Sequence, residues 1–236
     1  MIETVPETGS TNADLAARLR AGVFVREGDW LIADRQSAGR GRQGREWFDG
    51  SGNFMGSTVV HRRFGDPELP SLALVAGLAV QAVVPPQAGA LLKWPNDVMI
   101  GVAKLAGILL EREGDAVLVG IGVNLVSAPR LADRETVALS DIAAAPARDA
   151  FAATLARQFD IEIERWRNFG VAPIVQRWQD AAHPLGTPLH VGEPGETPLE
   201  GTFAGLTDDG ALLLRLADGG TRAIHAGEVR FAQTDR

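Results

Sequence analysis

The sequence predicts an α+β protein, in which a mixed sheet with flanking helices is followed by a small antiparallel β-barrel. Two observations lead to this fold class. Helix-like and strand-like segments alternate as far as residue 182, and the remaining stretch contains only short β-prone runs separated by Gly and Asp turns. The chain has 236 residues, 45 % hydrophobic and 22 % charged, which is enough for a sizeable core. We expect a larger domain over residues 1–184 and a small one over 185–236.

The first half of the chain predicts two helices and two strands. Residues 10–22 begin with cap-type side chains and end at a glycine, as a short helix does. The apolar residues 69–84, which precede two prolines, predict a buried helix. Strands are predicted at 30–33 and 53–60, with a loop rich in glycine and arginine between them.

The second half predicts three strands, two helices and then the barrel. Turn residues separate strands at 90–94, 103–111 and 116–123, and amphipathic helices follow at 148–166 and 171–182. Beyond residue 183, hairpin turns such as Asp208-Asp209-Gly210 connect short strands. These strands are expected at 188–191, 199–206, 211–216, 221–224 and 229–232.

Charge and composition exclude several classes of protein. The net charge of −7 has the wrong sign for a surface built throughout to bind nucleic acid, so any phosphate recognition must be local. Without cysteine there is no disulfide framework, and four scattered histidines make a structural zinc site improbable. The N-terminus shows no secretory signal, and the longest apolar stretch is too short to cross a bilayer, so we expect a cytoplasmic protein.

The segment from Gln36 to Trp47 carries three arginines and three glycines. Gly39, Gly41 and Gly44 satisfy the spacing of a dinucleotide-binding turn, but the residues that follow cannot form the helix that such a turn requires. A Walker A loop is also absent. Glycines allow a ligand to approach the backbone and guanidinium groups bind phosphate, so the loop predicts a local anion site. A solvated basic loop and an RNA-contacting loop remain alternatives.

Four further segments carry polar side chains that could bind a ligand. Each of them could also have a purely structural role. Lys93-Trp94-Pro95-Asn96-Asp97 could be a plain turn, and Lys104, the only other lysine, could protect an edge strand from aggregation. Gly120-Ile121-Gly122-Val123-Asn124 could be an ordinary strand end. Ser10-Thr11-Asn12 makes a good helix cap and could equally offer hydroxyl and amide groups to a ligand.

In this order and at these spacings, the five segments resemble those of the biotin protein ligases. The resemblance runs from about residue 8 to residue 124, and the late β-rich segment is similar to the small C-terminal domain of that family. It implies a class II synthetase-like mixed sheet and an SH3-like barrel. The catalytic residues that it implies are Lys104, Arg40 and Arg42.

The resemblance also implies two sets of binding residues. For biotin these are Ser10, Thr11, Asn12, Gln36, Arg40, Gly41, Arg42 and Lys104, with the first three receiving the ureido and ring groups. For ATP and the adenylate they are Gly39, Arg42, Gly44, Arg45, Trp47, Lys93, Asn96, Asp97, Lys104 and Asn124. In this assignment Lys104 lies between the biotin carboxylate and the α-phosphate, and Trp47 and Asn124 lie near the adenine. Asp97 is a candidate ligand for Mg²⁺, whose other ligands are unknown.

The implied function is ATP-dependent ligation of biotin to a lysine of a biotin carboxyl carrier protein, through biotinyl-5′-AMP. ATP and Mg²⁺ would be the co-substrate and activator. The ligase segment begins near residue 10, so we expect no DNA-binding module and no DNA partner; we also expect no membrane partner, and a homodimer is compatible with the resemblance. The alternatives are a lipoate or octanoate ligase or transferase on the same fold, and a non-enzymatic RNA-binding protein.

Overall fold

The computed structural model describes residues 1–192 and 197–232, and within them it contains one mixed sheet, four α-helices and one antiparallel sheet. The strands of the mixed sheet are β1 Ile2–Thr8, β2 Trp30–Gln36, β3 Phe54–His61, β4 Ala90–Lys93, β5 Asp97–Ile100, β6 Ala103–Glu113 and β7 Ala116–Val123. The helices are α1 Thr11–Arg20, α2 Leu72–Val83, α3 Arg148–Phe169 and α4 Ala172–Asp180. The antiparallel sheet contains β8 Pro188–Gly192, β9 Leu199–Leu206, β10 Leu212–Arg215, β11 Thr221–Ile224 and β12 Glu228–Phe231.

The mixed sheet has the strand order β1-β2-β3-β7-β6-β5-β4. Only β1 and β2 run parallel to each other, and the other neighbours are antiparallel. The central strands are apolar on both faces because helices cover both. Helices α2 and α3 pack on one face and form the main core around Phe54, Phe159 and Trp166.

The other face is covered by α1 alone, and only in part. Leu15 and Ala16 of this helix pack on Val59 of β3 and Leu118 of β7 in a small second core. Toward the C-terminal end of β7 the same face carries glycine instead of large apolar side chains. Gly107, Gly120 and Gly122 form a floor that only Asn12 of the helix approaches, at Gly120, and the site described below lies over this floor.

The antiparallel sheet has the order β11-β10-β9-β8-β12 and confirms the small β-rich unit predicted for the C-terminal part. It contacts the rest of the protein through Trp178 against Phe203 and through a hydrogen bond from Trp94 Nε1 to the carbonyl of Gly210, 3.0 Å long. Residues 193–196 and 233–236, which belong to the predicted second domain, lie outside the described residues.

The predicted elements are present, with shifts of a few residues at their ends, and two strands were missed. β1 carries Pro6 and the exposed Glu3 and Glu7, which are unfavourable strand signals tolerated at a sheet edge. β5 has four residues directly after the Trp94-Pro95 turn, too few for a period to be visible. The helix predicted at 69–84 begins as a 3₁₀ turn at Leu69–Ser71. None of the helices in 1–192 and 197–232 is both long and apolar enough to span a bilayer.

Candidate active site

A cleft of about 1340 Å³ lies over the glycine floor and is bounded by segments from both sheets. The start of α1 and the end of β2 form one end, and the β4–β5 turn, the loop around residue 134 and strand β12 form the other. The arginine-rich loop after β2 lies across it. Every site residue predicted from the sequence lines this cleft except Gly39 and Gly44.

One end of the cleft is a buried set of hydroxyl and amide groups. Gln36 Oε1 accepts hydrogen bonds from Thr11 N (2.8 Å) and Thr11 Oγ1 (3.2 Å). The Thr11 hydroxyl also lies 2.6 Å from that of Ser57. These three residues and Asn12 are each less than a tenth exposed. The arrangement can receive a small polar ring through directed hydrogen bonds.

Asn12 belongs to the same end and has an unused acceptor. Its Nδ2 donates to Glu111 Oε2 at 2.7 Å, while its Oδ1 is buried without a hydrogen-bond partner. Asn124 Oδ1 and Trp47 Nε1, further along the cleft, are buried without partners as well. Because a buried polar atom without a partner is unfavourable, these three atoms are places where a ligand would be stabilised.

The middle of the cleft holds both lysines of the chain against one carboxylate. Lys104 Nζ lies 2.5 Å from Asp97 Oδ1, and Lys93 Nζ lies 2.9 Å from Asp97 Oδ2. Burial opposes ionisation of Asp97, but the two ammonium groups hold the pKa of its carboxyl far below the usual value. Burial also lowers the pKa of Lys104, and Asp97 opposes that shift. Lys104 Nζ lies 5.7 Å from the centre of a Trp47 ring.

The arginine-rich loop is held by side chains of the β4–β5 turn and by the antiparallel sheet. Arg42 donates to Asn96 Oδ1 (3.2 Å) and to the Gly227 carbonyl (3.1 Å). Arg45 forms an ion pair with Glu228 at the start of β12. Burial opposes ionisation of Glu228, but hydrogen bonds from Arg45 and Arg230 keep the pKa of its carboxyl below the usual value. The loop contains a 3₁₀ turn at Arg42–Gly44 and no α-helix, which confirms that it is not a dinucleotide-binding turn.

Trp47 lies directly on the glycine floor. Its indole leaves no room for a Cβ atom at Gly122 of β7, and at Gly107 of β6 the indole and the Lys104 side chain together crowd that position. Glycine at these positions therefore allows a flat group to lie on the sheet. The sequence interpretation of Gly107 as space for a neighbouring group agrees with this packing.

Several residues of the cleft were not predicted. Ser57 is one alternating residue of an ordinary strand, and Glu228 is distant in sequence from the loop that it holds. Arg134 lines the cleft beside a loop that is held to β6 by a hydrogen bond from Lys104 N to the Glu135 carbonyl, 2.9 Å long. None of these carries a local sequence signal, because each depends on the tertiary fold.

The contacts of Asp97 do not favour its interpretation as a magnesium ligand. Both oxygens of Asp97 face ammonium groups, so the carboxylate interpreted as a magnesium ligand is already neutralised. Within residues 1–192 and 197–232 no cluster of three or more His, Cys, Asp or Glu side chains could hold a metal ion.

Comparison with known proteins gives a consistent result. The model of the biotin/lipoate A/B protein ligase family matches residues 19–125, and that of the biotin protein ligase C terminal domain matches residues 186–231. The biotin--[acetyl-CoA-carboxylase] ligase of Paracoccus denitrificans is 38 % identical over 95 % of this chain and 98 % of its own.

Two solved structures agree with this fold. The biotin protein ligase from Aquifex aeolicus in complex with biotin and ATP has a TM-score of 0.84 and 25 % identity, covering 99 % of both chains. The biotin protein ligase from Leishmania major in complex with biotinyl-5-AMP has a TM-score of 0.67 and 26 % identity, covering 95 % of this chain and 98 % of its own. The fold, the cleft and these relatives together show that the chain belongs to the biotin protein ligase family.

Proposed function

We propose that this protein activates biotin with ATP and transfers it to a lysine of a biotin carboxyl carrier protein. In the first step a biotin carboxylate oxygen attacks the α-phosphorus of ATP, the bond to the leaving pyrophosphate breaks, and biotinyl-5′-AMP forms. In the second step the carrier lysine attacks the acyl carbon, the acyl–oxygen bond breaks, AMP leaves, and the amine loses a proton.

The observation that carries this proposal is the presence of a neutral polar pocket and a cluster of cations in one cleft. Thr11, Asn12 and Gln36 form the pocket, and Lys104 and the arginine-rich loop line the same cleft. A carboxylate is a poor electrophile and must be activated before an amine can attack it. Activation by ATP joins two anions, so it requires positive charge and proximity more than a nucleophilic side chain.

The polar pocket fits the ureido ring of biotin. This ring offers one carbonyl acceptor and two N–H donors, and the pocket supplies both kinds of partner. Gln36 Oε1 is already used by Thr11, so Gln36 presents its Nε2 donor to other groups. The unused Oδ1 of Asn12 is the matching acceptor for an N–H.

We assign Lys104 to the point where the carboxylate and the α-phosphate meet. An ammonium group has three N–H donors, and Asp97 accepts from one of them. Two remain for the two reacting anions. Arg40, Arg42 and Arg45, with Gly41 in the same loop, would cover biotin and the adenylate and reduce loss of the intermediate to water.

The rest of the cleft fits a nucleotide. Trp47 and Asn124 carry buried polar atoms without partners and would lie beside the adenine. Lys93 and Asn96, at the β4–β5 turn, belong to the same proposed set of nucleotide-binding residues. Gly39 and Gly44 belong to it as well and give the arginine-rich loop its shape. We propose that ATP binds as its Mg²⁺ complex, with the metal held by phosphate oxygens, since Asp97 is neutralised by the lysines.

Three further proposals concern organisation and partners. We propose a catalytic domain over residues 1–184 and a small β domain over 185–236. We propose that the protein acts in the cytoplasm, on a carrier domain of a carboxylase, without DNA or membrane partners. A homodimer is compatible with these proposals.

The test is biotin-dependent exchange of labelled pyrophosphate into ATP by the purified protein with Mg²⁺. Exchange with biotin, together with transfer of biotin to a carrier domain, is the expected result. Exchange with lipoate or octanoate and none with biotin would assign the protein a different acid. No exchange with any of the three would contradict adenylate chemistry.

A further inference from the structure

Glu111 of β6 ends the segment that begins at Lys104, and it contacts the candidate biotin pocket although the sequence assigns it no role. Its Oε2 accepts a hydrogen bond from Asn12 Nδ2 at 2.7 Å. We propose that Glu111 is a positioning residue that turns the amide of Asn12 so that Oδ1 faces the ligand. The inference rests on the proposed function, because it takes the ligand to be biotin.

The chemistry of the two side chains determines the orientation. An ionised carboxylate can only accept hydrogen bonds, whereas an amide has a donor end and an acceptor end. Glu111 therefore selects the Nδ2 end of Asn12 and leaves Oδ1 for another group. Oδ1 is buried without a partner, and Asn12 as a whole is 4 % exposed.

The unused oxygen lies over the glycine floor of the cleft. A Cβ atom at Gly120 would lie 2.7 Å from Asn12 Oδ1, so glycine is required for the amide to occupy this place. Gly120 is the neighbour of Ser57 in the β3–β7 ladder, and Ser57 contacts Thr11. The fixed acceptor thus belongs to the same pocket as the other polar groups that would surround a ureido ring.

No other polar group named in this pocket offers a carbonyl oxygen that is free of hydrogen bonds. Gln36 Oε1 already accepts two hydrogen bonds from Thr11, and the Thr11 and Ser57 hydroxyls bond to each other. Asn12 Oδ1 is the carbonyl oxygen in this group that has no donor. A ligand N–H placed there is satisfied, whereas a ligand without one leaves the buried oxygen unpaired. Glu111 thereby contributes to selection for a ligand with an N–H.

The experiment measures biotin binding by calorimetry for the full chain and for Glu111→Ala, Asn12→Ala and the double variant. We expect each single substitution to raise the Kd for biotin roughly tenfold, as loss of one directed hydrogen bond does. Glu111→Ala should add nothing in the Asn12→Ala background, because Glu111 acts through Asn12. Glu113→Ala is the control: Glu113 lies two residues further on the same strand, pairs with Arg20 of α1, and should leave the Kd unchanged.

A second readout separates positioning from a general loss of structure. A biotin that is methylated on the ureido nitrogen facing Asn12 cannot donate a hydrogen bond to Oδ1. The native protein should therefore bind biotin more tightly than the methylated compound. Glu111→Ala should reduce this difference in Kd. Glu111→Gln, which keeps the shape but can present either amide end to Asn12, should give an intermediate Kd. If Glu111→Ala does not fold, the Kd of Glu111→Gln tests the positioning role instead.

Two results would overturn the inference, and they differ in what else they affect. Biotin binding by the native protein with an unchanged Kd in Glu111→Ala, or with fully additive losses in the double variant, contradicts the role of Glu111 alone. No biotin binding by the native protein contradicts the proposed function, and this inference with it.

Discussion

The ammonium group of Lys104 on β6 lies 2.5 Å from the carboxylate of Asp97 at the start of β5. Lys93, across the turn from Asp97, occupies the other oxygen of the same carboxylate at 2.9 Å. Asp97 thus fixes both lysines before any substrate arrives. A cation held in place in this way needs little rearrangement when negative charge develops beside it.

Lys104→Ala should remove biotin-dependent pyrophosphate exchange while leaving the protein folded. Loss of one preorganised donor commonly lowers kcat about 10²- to 10³-fold, and Lys104 would contact both reacting anions. Exchange of labelled pyrophosphate measures the change, and circular dichroism checks the fold. Arg112→Ala removes an exposed cation from the same strand and should exchange normally. Normal exchange by Lys104→Ala would contradict its assigned role.

Asp97→Asn should destabilise the fold at neutral pH. Removing one side of a buried ion pair typically costs about 3–5 kcal/mol, because the remaining charges lose their counterion. The free energy of unfolding, from urea titration of both proteins, measures the loss.

The same substitution tests the pKa of Asp97. A carboxyl whose pKa is lower in the folded state stabilises the fold above its unfolded pKa, about 3.9, and loses that contribution as the pH falls further. The difference in stability between native protein and Asp97→Asn should therefore be largest above about pH 4 and shrink in more acidic solution. A difference that does not change with pH would contradict a lowered pKa.

Arg42→Ala should let the adenylate escape. Arg42 connects the loop to Asn96 and to the Gly227 carbonyl, so its loss weakens the cover of the cleft at two points. We expect biotin to appear on lysines of bystander proteins as well as on the carrier, measured by blotting with labelled avidin. Arg62→Ala, at an exposed position outside the cleft, serves as the control. Unchanged selectivity in Arg42→Ala would argue against a shielding loop.

Glu228→Ala should loosen the arginine-rich loop without unfolding either sheet. The ion pair between Arg45 and Glu228 is partly exposed, so its loss should be worth no more than about 1 kcal/mol. Amide hydrogen exchange in residues 40–47 should be roughly two- to fivefold faster. Glu200→Ala, an exposed position on β9, provides the comparison, and equal exchange in all three proteins would show that the pair does not hold the loop.

The sequence was sufficient for most of the fold because its helices and central strands have clear periods and strong end signals. Residues 148–166 and 199–206, for example, were predicted close to their observed bounds. β1 and β5 were missed because an edge strand with Pro6 and a four-residue strand follow no periodic pattern. Both are strands only because a neighbouring strand pairs with them.

The candidate site was predictable where its residues follow one another in the chain, as in Ser10-Thr11-Asn12 and the β4–β5 turn. Contacts between distant segments were not. The pairing of Asn12 with Glu111 spans 99 positions and that of Arg45 with Glu228 spans 183, so neither leaves a local trace. The two ion pairs of Asp97 span only four and seven positions, yet the sequence does not show that both lysines would face one carboxylate.

Both lysines of this chain are committed to Asp97, with side chains only 13 % and 17 % exposed. An enzyme that releases an amine-reactive anhydride would thus present almost no target for it on its own surface. Apart from the amino group of Met1, the exposed cations are guanidinium groups, which stay protonated at neutral pH and do not react with the anhydride as amines do. Such a composition would make the protein a poor acceptor for the proposed adenylate, so labelling by a leaky variant would fall on its neighbours.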